Sequence, residues 1–104
     1  MDSKILLGKI LQRFSDIGDC QVGGFNKFGY IRETNNAVYV SREKGKDTPI
    51  QFQKIIHGIE AFQSNLELYN EGPSALRKFG ITHVTSPIWS LLHLLSVEDF
   101  KKKV

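Results

Sequence analysis

Positively charged and aromatic side chains are interleaved through the middle of the chain, and together they could bind a nucleic acid. Lysine and arginine neutralise phosphates, while exposed rings or a two-stranded ribbon can approach the bases. The same residues also fit a structural role, in which the rings pack against helices and the charges keep a sheet edge from aggregating. The cations are Lys27, Arg32, Arg42, Lys44, Lys46 and Lys54, and the rings are Phe25, Phe28, Tyr30 and Tyr39.

A second candidate group lies around residue 80, where two basic residues precede several small hydroxyl side chains. Backbone contacts are expected from the hairpin cations, and residues near position 80 are expected close to base edges or phosphates. The predicted nucleic-acid-binding residues are Arg32, Arg42, Lys44, Lys46, Lys54, Arg77, Lys78, Thr82, His83 and Thr85.

Side chains that could catalyse a reaction are few. His57, His83 and His93 could serve as acid or base, but no serine, cysteine or paired carboxylate stands in a nucleophile motif beside them. Cys20 is the one cysteine, so it can neither close an internal disulfide nor build a cysteine zinc site, and we expect it to be a small packed residue. We therefore predict a non-enzymatic protein without a metal or cofactor.

The elements that position these residues begin with an amphipathic helix over residues 3–17. Asp2 or Ser3 can cap its start, and Gly18 can adopt the left-handed conformation that ends it. The apolar stripe expected to face the core is Leu7, Ile10, Leu11, Phe14 and Ile17.

The pattern then changes from helical to alternating, which predicts an antiparallel hairpin. Its strands cover about residues 27–33 and 37–43, joined at Asn35-Asn36, since asparagine tolerates the positive φ of a tight turn. A short third strand follows near residues 48–52, and Pro49 confines it to a sheet edge.

Helical spacing returns at Phe52 and continues to Phe62, where Gly58 suggests that another backbone or ring comes close. The segment "SNLELYNEG" resembles a loop or broken turn, and "PSALRKF" fits a short helix with Leu76 and Phe79 inward. A buried helix ending near Leu95 and a final turn capped at Ser96 complete the chain. The predicted fold is α+β: an N-terminal helix, a hairpin of two or three strands, a long helix and a C-terminal helical pair.

Residues 75–95, "ALRKFGITHVTSPIWSLLHLL", resemble the helix-turn-helix of bacterial DNA-binding proteins. In that family a first helix ends at a glycine, a small hydroxyl residue caps the second helix, and buried aliphatic residues hold the second helix in place. The resemblance covers about a fifth of the chain and implies DNA binding. The matching residues are Gly80, Ile81, Thr82, Ile88, Leu91 and Leu92.

Pro87 departs from that pattern and leaves two alternatives open. If the second helix begins at His83 with Thr82 as its cap, Pro87 lies beyond the first turn. Its ring would then collide with a preceding carbonyl, which would lower the stability of the helix by about 3 kcal/mol. If Ser86 is the cap and Pro87 opens the helix, the local chemistry is satisfied, but the connection grows to about seven residues. In the second case the helix is a core helix with few polar positions to contact a groove.

Length and composition indicate one folded domain of 104 residues, with 40% hydrophobic and 24% charged residues. The formal charge of +3 is uneven, because basic blocks at residues 25–54 and 73–104 flank an acidic block at 55–72. No apolar run is long enough to span a bilayer and no signal core is visible at the N-terminus, so we expect a soluble, cytoplasmic protein that does not contact membranes.

Two functions follow from these observations. The first is a non-enzymatic DNA-binding domain that uses the basic hairpin and the segment resembling a helix-turn-helix. The alternative is a protein-binding domain, for instance an inhibitor, an immunity factor or an oligomerising subunit such as a homodimer, with Phe62, Tyr69 and Trp89 as contact residues if they are exposed.

Overall fold

A computed structural model describes residues 2–22, 26–43 and 45–101 and has the predicted α+β fold. A four-stranded antiparallel sheet, in the order β1-β2-β3-β4, carries the helices on one of its faces. The elements in chain order are α1 (Ser3–Ile17), β1 (Asp19–Cys20), β2 (Phe28–Glu33), β3 (Ala37–Arg42), β4 (Thr48–Gln51), α2 (Phe52–Ser64), a first 3-10 helix (Leu66–Asn70), a second 3-10 helix (Pro73–Phe79), α3 (Thr85–Leu92) and α4 (Val97–Lys101).

Helix α1 begins and ends where the sequence predicts. The Asp2 carboxylate accepts a hydrogen bond from the Lys4 backbone N–H at 2.8 Å, and Gly18 ends the helix at φ 92° with its N–H donating to Phe14 O. The predicted core face is partly wrong, since Leu6 is buried and Ile17 is 61% exposed. Ile17 is the last helical residue and lies beyond the edge of the core, whose α1 row is Leu6, Ile10 and Phe14.

The hairpin forms from the predicted residues, but its turn differs from the expectation. The N–H of Thr34 donates to Ala37 O at 2.8 Å, so the pairing continues to these two residues and Asn35 and Asn36 form the turn between them. Neither asparagine has a positive φ. The turn is therefore at the predicted residues but does not use the left-handed conformation.

Two outer strands complete the sheet. The predicted third strand is β4, which pairs with β3 and lies at an edge, as Pro49 requires. The other edge strand, β1, has two residues and pairs Asp19 with Gly29 and Cys20 with Phe28. A strand this short has no periodic signal, so the sequence did not indicate it.

Helix α2 is the predicted long helix, with Ile55, Ile59 and Phe62 fully buried. A β-carbon added at Gly58 would lie 3.0 Å from Leu92 Cδ1 and 3.4 Å from Ile88 Cγ2. The close neighbours predicted for Gly58 are therefore aliphatic side chains of α3, rather than a backbone or a ring.

The two 3-10 helices connect α2 to α3. Residues predicted to form a loop fold into the first, where the Asn65 side chain accepts from Glu67 N–H at 3.1 Å and Leu68 is buried. The second ends at Gly80, with φ 84°, as predicted. Leu76 is buried as expected, but Phe79 is 40% exposed, which corrects the prediction that it points inward.

Helix α3 starts at Thr85, between the two predicted starts. Its N-cap is Val84, a non-glycine residue with φ 52°, so neither Thr82 nor Ser86 is the cap. Pro87 occupies the third helical position, where its missing N–H costs no intrahelical hydrogen bond because the first four N–H groups of a helix have no partner. The proline penalty expected for an earlier start is thereby avoided.

The core lies between the inner face of the sheet and helices α1, α2 and α3. The Phe62 ring is at its centre on the helical side, with edge-on contacts to the rings of Tyr69, Trp89, His93 and Phe100. Helix α4 holds Phe100 there, and the predicted cap is present, with Asp99 Oδ2 accepting from the Ser96 N–H at 2.9 Å. Among the described residues, no helix combines the length and apolarity needed to cross a membrane.

Candidate nucleic-acid interface

The face of the sheet that points away from the helices is open. Cross-strand partners share a face, and Arg32, Tyr39 and Pro49 form one row across β2, β3 and β4. Arg32 and Pro49 are exposed and Tyr39 is half-buried, and none of the three belongs to the hydrophobic core. The opposite face carries the buried residues Phe28, Val38, Val40 and Ile50.

A β-bulge in β2 creates this row. The register steps from Tyr30 opposite Val40 to Arg32 opposite Tyr39, so one extra residue, Ile31, is inserted in β2. Without that insertion, Arg32 would point to the same face of the sheet as Tyr30, whose ring packs edge-on against Phe14 in the core. The bulge therefore sends Arg32 to the open face, and it leaves Ile31 39% exposed.

Arg32 and Tyr39 are in direct contact across the two strands. The guanidinium carbon of Arg32 lies 4.0 Å from the centroid of the Tyr39 ring, within the range of a cation–π interaction. The contact holds a planar cation and a phenol ring together on the solvent side of the sheet. The sequence named both residues but gave no signal that they touch, because the contact depends on the bulge.

The other basic residues of the hairpin region surround the sheet in different settings. Arg42 is half-buried, with its guanidinium carbon 5.7 Å from the Phe28 ring centroid. Lys46 is exposed in the β3–β4 connection, and Lys54 is half-buried in the first turn of α2. Lys44, which the sequence also predicts to bind nucleic acid, lies outside the described residues, as does Phe25.

Within the part of the chain that the structure describes, none of these cations forms an ion pair with an acidic side chain. One ion pair forms there, between Lys101 Nζ and Glu98 Oε2 at 3.2 Å, and it lies on α4. The predicted basic residues Arg32, Arg42, Lys46, Lys54, Arg77 and Lys78 make no such pair. Within the described residues these cations are therefore left without an ion pair.

The second candidate group lies at the junction of the second 3-10 helix and α3. Arg77, Lys78, Thr82 and His83 are exposed, and Thr85 is half-buried. Of these, Arg77 and Thr85 line one cleft of about 410 Å³, together with Glu71, Gly72, Ser74 and Ser86. The structure therefore brings Arg77 to the start of α3 but places an acidic side chain in the same cleft.

The two candidate groups have different neighbours. The second 3-10 helix packs mainly on α2 and α3, whereas the helices that contact the sheet most are α1 and α2. Arg77 and Lys78 therefore lie on an element that packs mainly on helices. Among the hairpin cations, Arg32 lies on the open face, whereas Arg42 is opposite Phe28 on the core-facing side and Lys54 lies on α2.

Helix α3, which the helix-turn-helix resemblance would make the recognition helix, is part of the core. Every residue from Pro87 to Leu92 is buried. A recognition helix enters the groove with an exposed face. Any nucleic-acid contact from this region must therefore come from the residues that precede Pro87.

The residues named as contacts for a protein partner are mostly covered. Phe62 is fully buried and Trp89 is 2% exposed, so neither is available at the surface. Tyr69 is half-buried, and its hydroxyl donates to Leu95 O at 2.7 Å. These rings stabilise the fold instead of forming an exposed patch.

The histidines and the cysteine have identifiable structural settings. His57 and His83 are exposed, and His93 is held between the rings of Tyr69 and Trp89, with centroid distances of 4.1 and 4.5 Å. The ring nitrogens of His93 lie 2.9 Å from Trp89 O and 2.8 Å from Tyr69 O.

Cys20 is buried in the core beside β2. Loss of solvation, with a smaller contribution from the Asp19 charge, raises the pKa of its thiol to about 12, so the reactive thiolate is suppressed. The described residues contain no group of three or more histidine, cysteine or acidic side chains that could hold a metal ion.

Comparison with protein-family models, curated proteins and solved structures found no match for this chain. The geometry of the sheet face and the chemistry of its residues are therefore the basis for a function.

Proposed function

We propose that this chain is a non-enzymatic DNA-binding domain whose primary contact surface is the basic β-hairpin. The observation that carries the proposal is the set of cations without acidic partners, together with the Arg32–Tyr39 contact on an open sheet face. Unpaired lysine and arginine side chains gain most from a polyanion, because each phosphate that they neutralise releases a condensed counterion.

The hairpin cations have distinct roles in this proposal. Arg32 and Lys46 are exposed and contact phosphates directly, while Arg42 and Lys54 are half-buried and add positive potential near the same strands. Lys44 is two residues before Lys46 in the sequence and is proposed to contribute in the same way.

The segment around residue 80 forms a second, weaker contact region in this proposal. Arg77 and Lys78 contact phosphates, and the exposed Thr82 and His83, with Thr85, lie near phosphates or base edges. Because Glu71 shares the cleft with Arg77, this region contributes less positive potential than the hairpin.

A charge-matched pair of double variants tests the assignment to the hairpin. Arg32→Gln with Lys46→Gln removes two exposed cations from the proposed surface, while Lys4→Gln with Lys101→Gln removes two cations from helices on the other side of the sheet. Fluorescence anisotropy with labelled DNA at several salt concentrations measures both affinity and salt dependence. The hairpin double variant is expected to bind more than about tenfold more weakly, with a log–log salt slope smaller by about 1.5.

The control double variant is expected to stay within about threefold of the wild-type affinity at the same salt. Equal losses in the two double variants would mean that binding follows net charge alone and would reject the hairpin as the site. Circular dichroism spectra and melting temperatures of both variants confirm that the fold is retained.

A protein-binding or self-assembling domain is the second candidate, and the open sheet face supports it as well. Tyr39 and Pro49 place apolar surface there, although two of the three rings first considered as contacts, Phe62 and Trp89, are buried. This alternative predicts a dimer in size-exclusion chromatography with light scattering, and no affinity for DNA. A monomer that binds DNA would reject it.

A further inference from the structure

We infer that the DNA recognised by this chain is single-stranded and that a base stacks on the Arg32–Tyr39 pair at the open face of the sheet. The inference rests on the proposed function and adds the form of the nucleic acid and the residue that contacts a base.

The first argument is the width of the surface. A two-stranded ribbon can enter the major groove of DNA, which is about 12 Å wide. Here β4 flanks the β2–β3 ribbon at this row, while β1 pairs only with Phe28 and Gly29 at the other end of β2. With neighbouring strands about 4.8 Å apart, three strands make a surface about 14 Å wide. The row of Arg32, Tyr39 and Pro49 therefore lies on a broad face, which a duplex groove does not accommodate.

The second argument is that helix α3, whose segment resembles a recognition helix, is not exposed to read a duplex in place of the ribbon. Residues Pro87–Leu92 of α3 are buried, so this helix cannot lie in a groove. A single strand needs neither a ribbon nor a recognition helix, because its unpaired bases can turn towards a flat protein surface.

The third argument is the chemistry of the Arg32–Tyr39 pair. Aromatic rings and guanidinium planes are the side-chain surfaces on which unpaired bases stack, and here the two are 4.0 Å apart. The guanidinium can stack on a base and also donate to a phosphate, which gives the face charge complementarity to a single strand. Exposed Lys46 extends the positive charge beyond the end of β3.

The sugar is the remaining feature that distinguishes the ligands. The contacts argued for the Arg32–Tyr39 pair are base stacking and phosphate binding, and neither needs a 2′-hydroxyl. A protein that selects RNA uses hydrogen bonds to that hydroxyl. The Arg32–Tyr39 pair is therefore expected to bind a deoxyribose strand without loss of affinity. It should show little preference among bases, since every base has a π-face.

The test compares three labelled ligands by fluorescence anisotropy at about 50 and about 200 mM salt: an oligothymidine of about 20 nucleotides, an oligouridine of equal length and a duplex of equal length. The wild type is expected to bind the oligothymidine more tightly than the duplex and at least as tightly as the oligouridine. Tyr39→Leu is expected to weaken that binding about tenfold, with an unchanged salt slope, because it removes the ring but no charge.

Two conservative variants act as matched controls. Tyr39→Phe keeps the ring and is expected to bind within about twofold of the wild type. Arg32→Lys keeps the charge but loses the planar guanidinium, so it is expected to keep the salt slope and lose a few-fold in affinity. Melting temperatures show whether each variant is folded.

Each outcome separates this inference from the proposed function. If Tyr39→Leu binds as tightly as the wild type while the Arg32→Gln, Lys46→Gln double variant is weakened, base stacking at Tyr39 is wrong and backbone binding stands. Tighter binding of the duplex or of the oligouridine overturns the assignment to single-stranded DNA. If no ligand binds at the lower salt concentration, both proposals are wrong.

Discussion

Replacing Ser90 with alanine is expected to stabilise this protein. Ser90 lies in α3 and is 2% exposed, and its buried hydroxyl oxygen has no hydrogen-bond partner among the residues that the structure describes. A buried polar group without a partner costs about 1–3 kcal/mol, because folding removes it from water and returns nothing. Alanine also has the highest helix propensity, which adds up to about 0.5 kcal/mol.

The opposing contributions to this change are small. Deleting one oxygen removes a few van der Waals contacts, each worth about 0.1–0.2 kcal/mol. The net expectation is that Ser90→Ala raises the free energy of unfolding by about 2 kcal/mol. For a domain of this size, each kcal/mol corresponds to roughly 4–8 °C in melting temperature.

Urea denaturation followed by circular dichroism measures this change, and the slope of the transition should stay constant because the surface exposed on unfolding is the same. Ser64→Ala is the matched control, since the Ser64 hydroxyl is near the surface and donates to Ala61 O at 2.8 Å. Its effect is expected to stay within about 0.5 kcal/mol of the wild type. The reasoning is refuted if Ser90→Ala is no more stable than Ser64→Ala.

Two further predictions concern Cys20 and His93. The unfolded Cys20 thiol ionises near its usual pKa of 9.0, whereas the folded thiol keeps its proton up to a pKa of about 12. The stability that Cys20 contributes is therefore present below pH 9 and is lost as the pH rises towards 12, by about 4 kcal/mol at most. In urea denaturation from pH 8 to 11, the free energy of unfolding should fall less steeply with pH in Cys20→Ala than in the wild type. Equal declines in the two proteins would contradict this. Replacing His93 with leucine leaves Tyr69 O without its ring partner and is expected to lower the free energy of unfolding by about 2 kcal/mol. The exposed control His57→Leu is expected to change it by less than about 0.5 kcal/mol. Similar values for the two variants in urea denaturation would argue against the role of His93.

The elements that the sequence predicted well are those with strong local signals. The cap at Asp2, the left-handed glycines at positions 18 and 80 and the apolar spacing of α2 each depend on residues close together in the chain. Local chemistry of this kind acts in the unfolded chain as well, so it can be recognised without knowledge of the tertiary contacts.

The start of α3 could not be predicted, because it contradicts local preference. Val84 is β-branched and takes φ 52°, a conformation that costs about 1–2 kcal/mol for an L-residue. Its side chain packs partly against the core, and this tertiary contact offsets the local cost. No property of the neighbouring residues indicates such a start.

The candidate site was predicted in its composition but not in its geometry. The sequence identified Arg32 as a cation and Tyr39 as a ring in a basic hairpin, and both lie there. Their contact depends on the insertion of Ile31, which interrupts the alternation of β2 and reverses the face of every residue after it. Register is set by pairing between strands, and a single strand's sequence does not specify it.

The salt dependence of DNA affinity tests the central claim most directly. The wild-type protein is titrated with a labelled single-stranded oligonucleotide at several salt concentrations, and the logarithm of the association constant is plotted against the logarithm of the salt concentration. Since three to five cations contact phosphates in this account, the predicted slope is about −2 to −4. A slope near zero, or no binding at the lowest salt concentration, would contradict it.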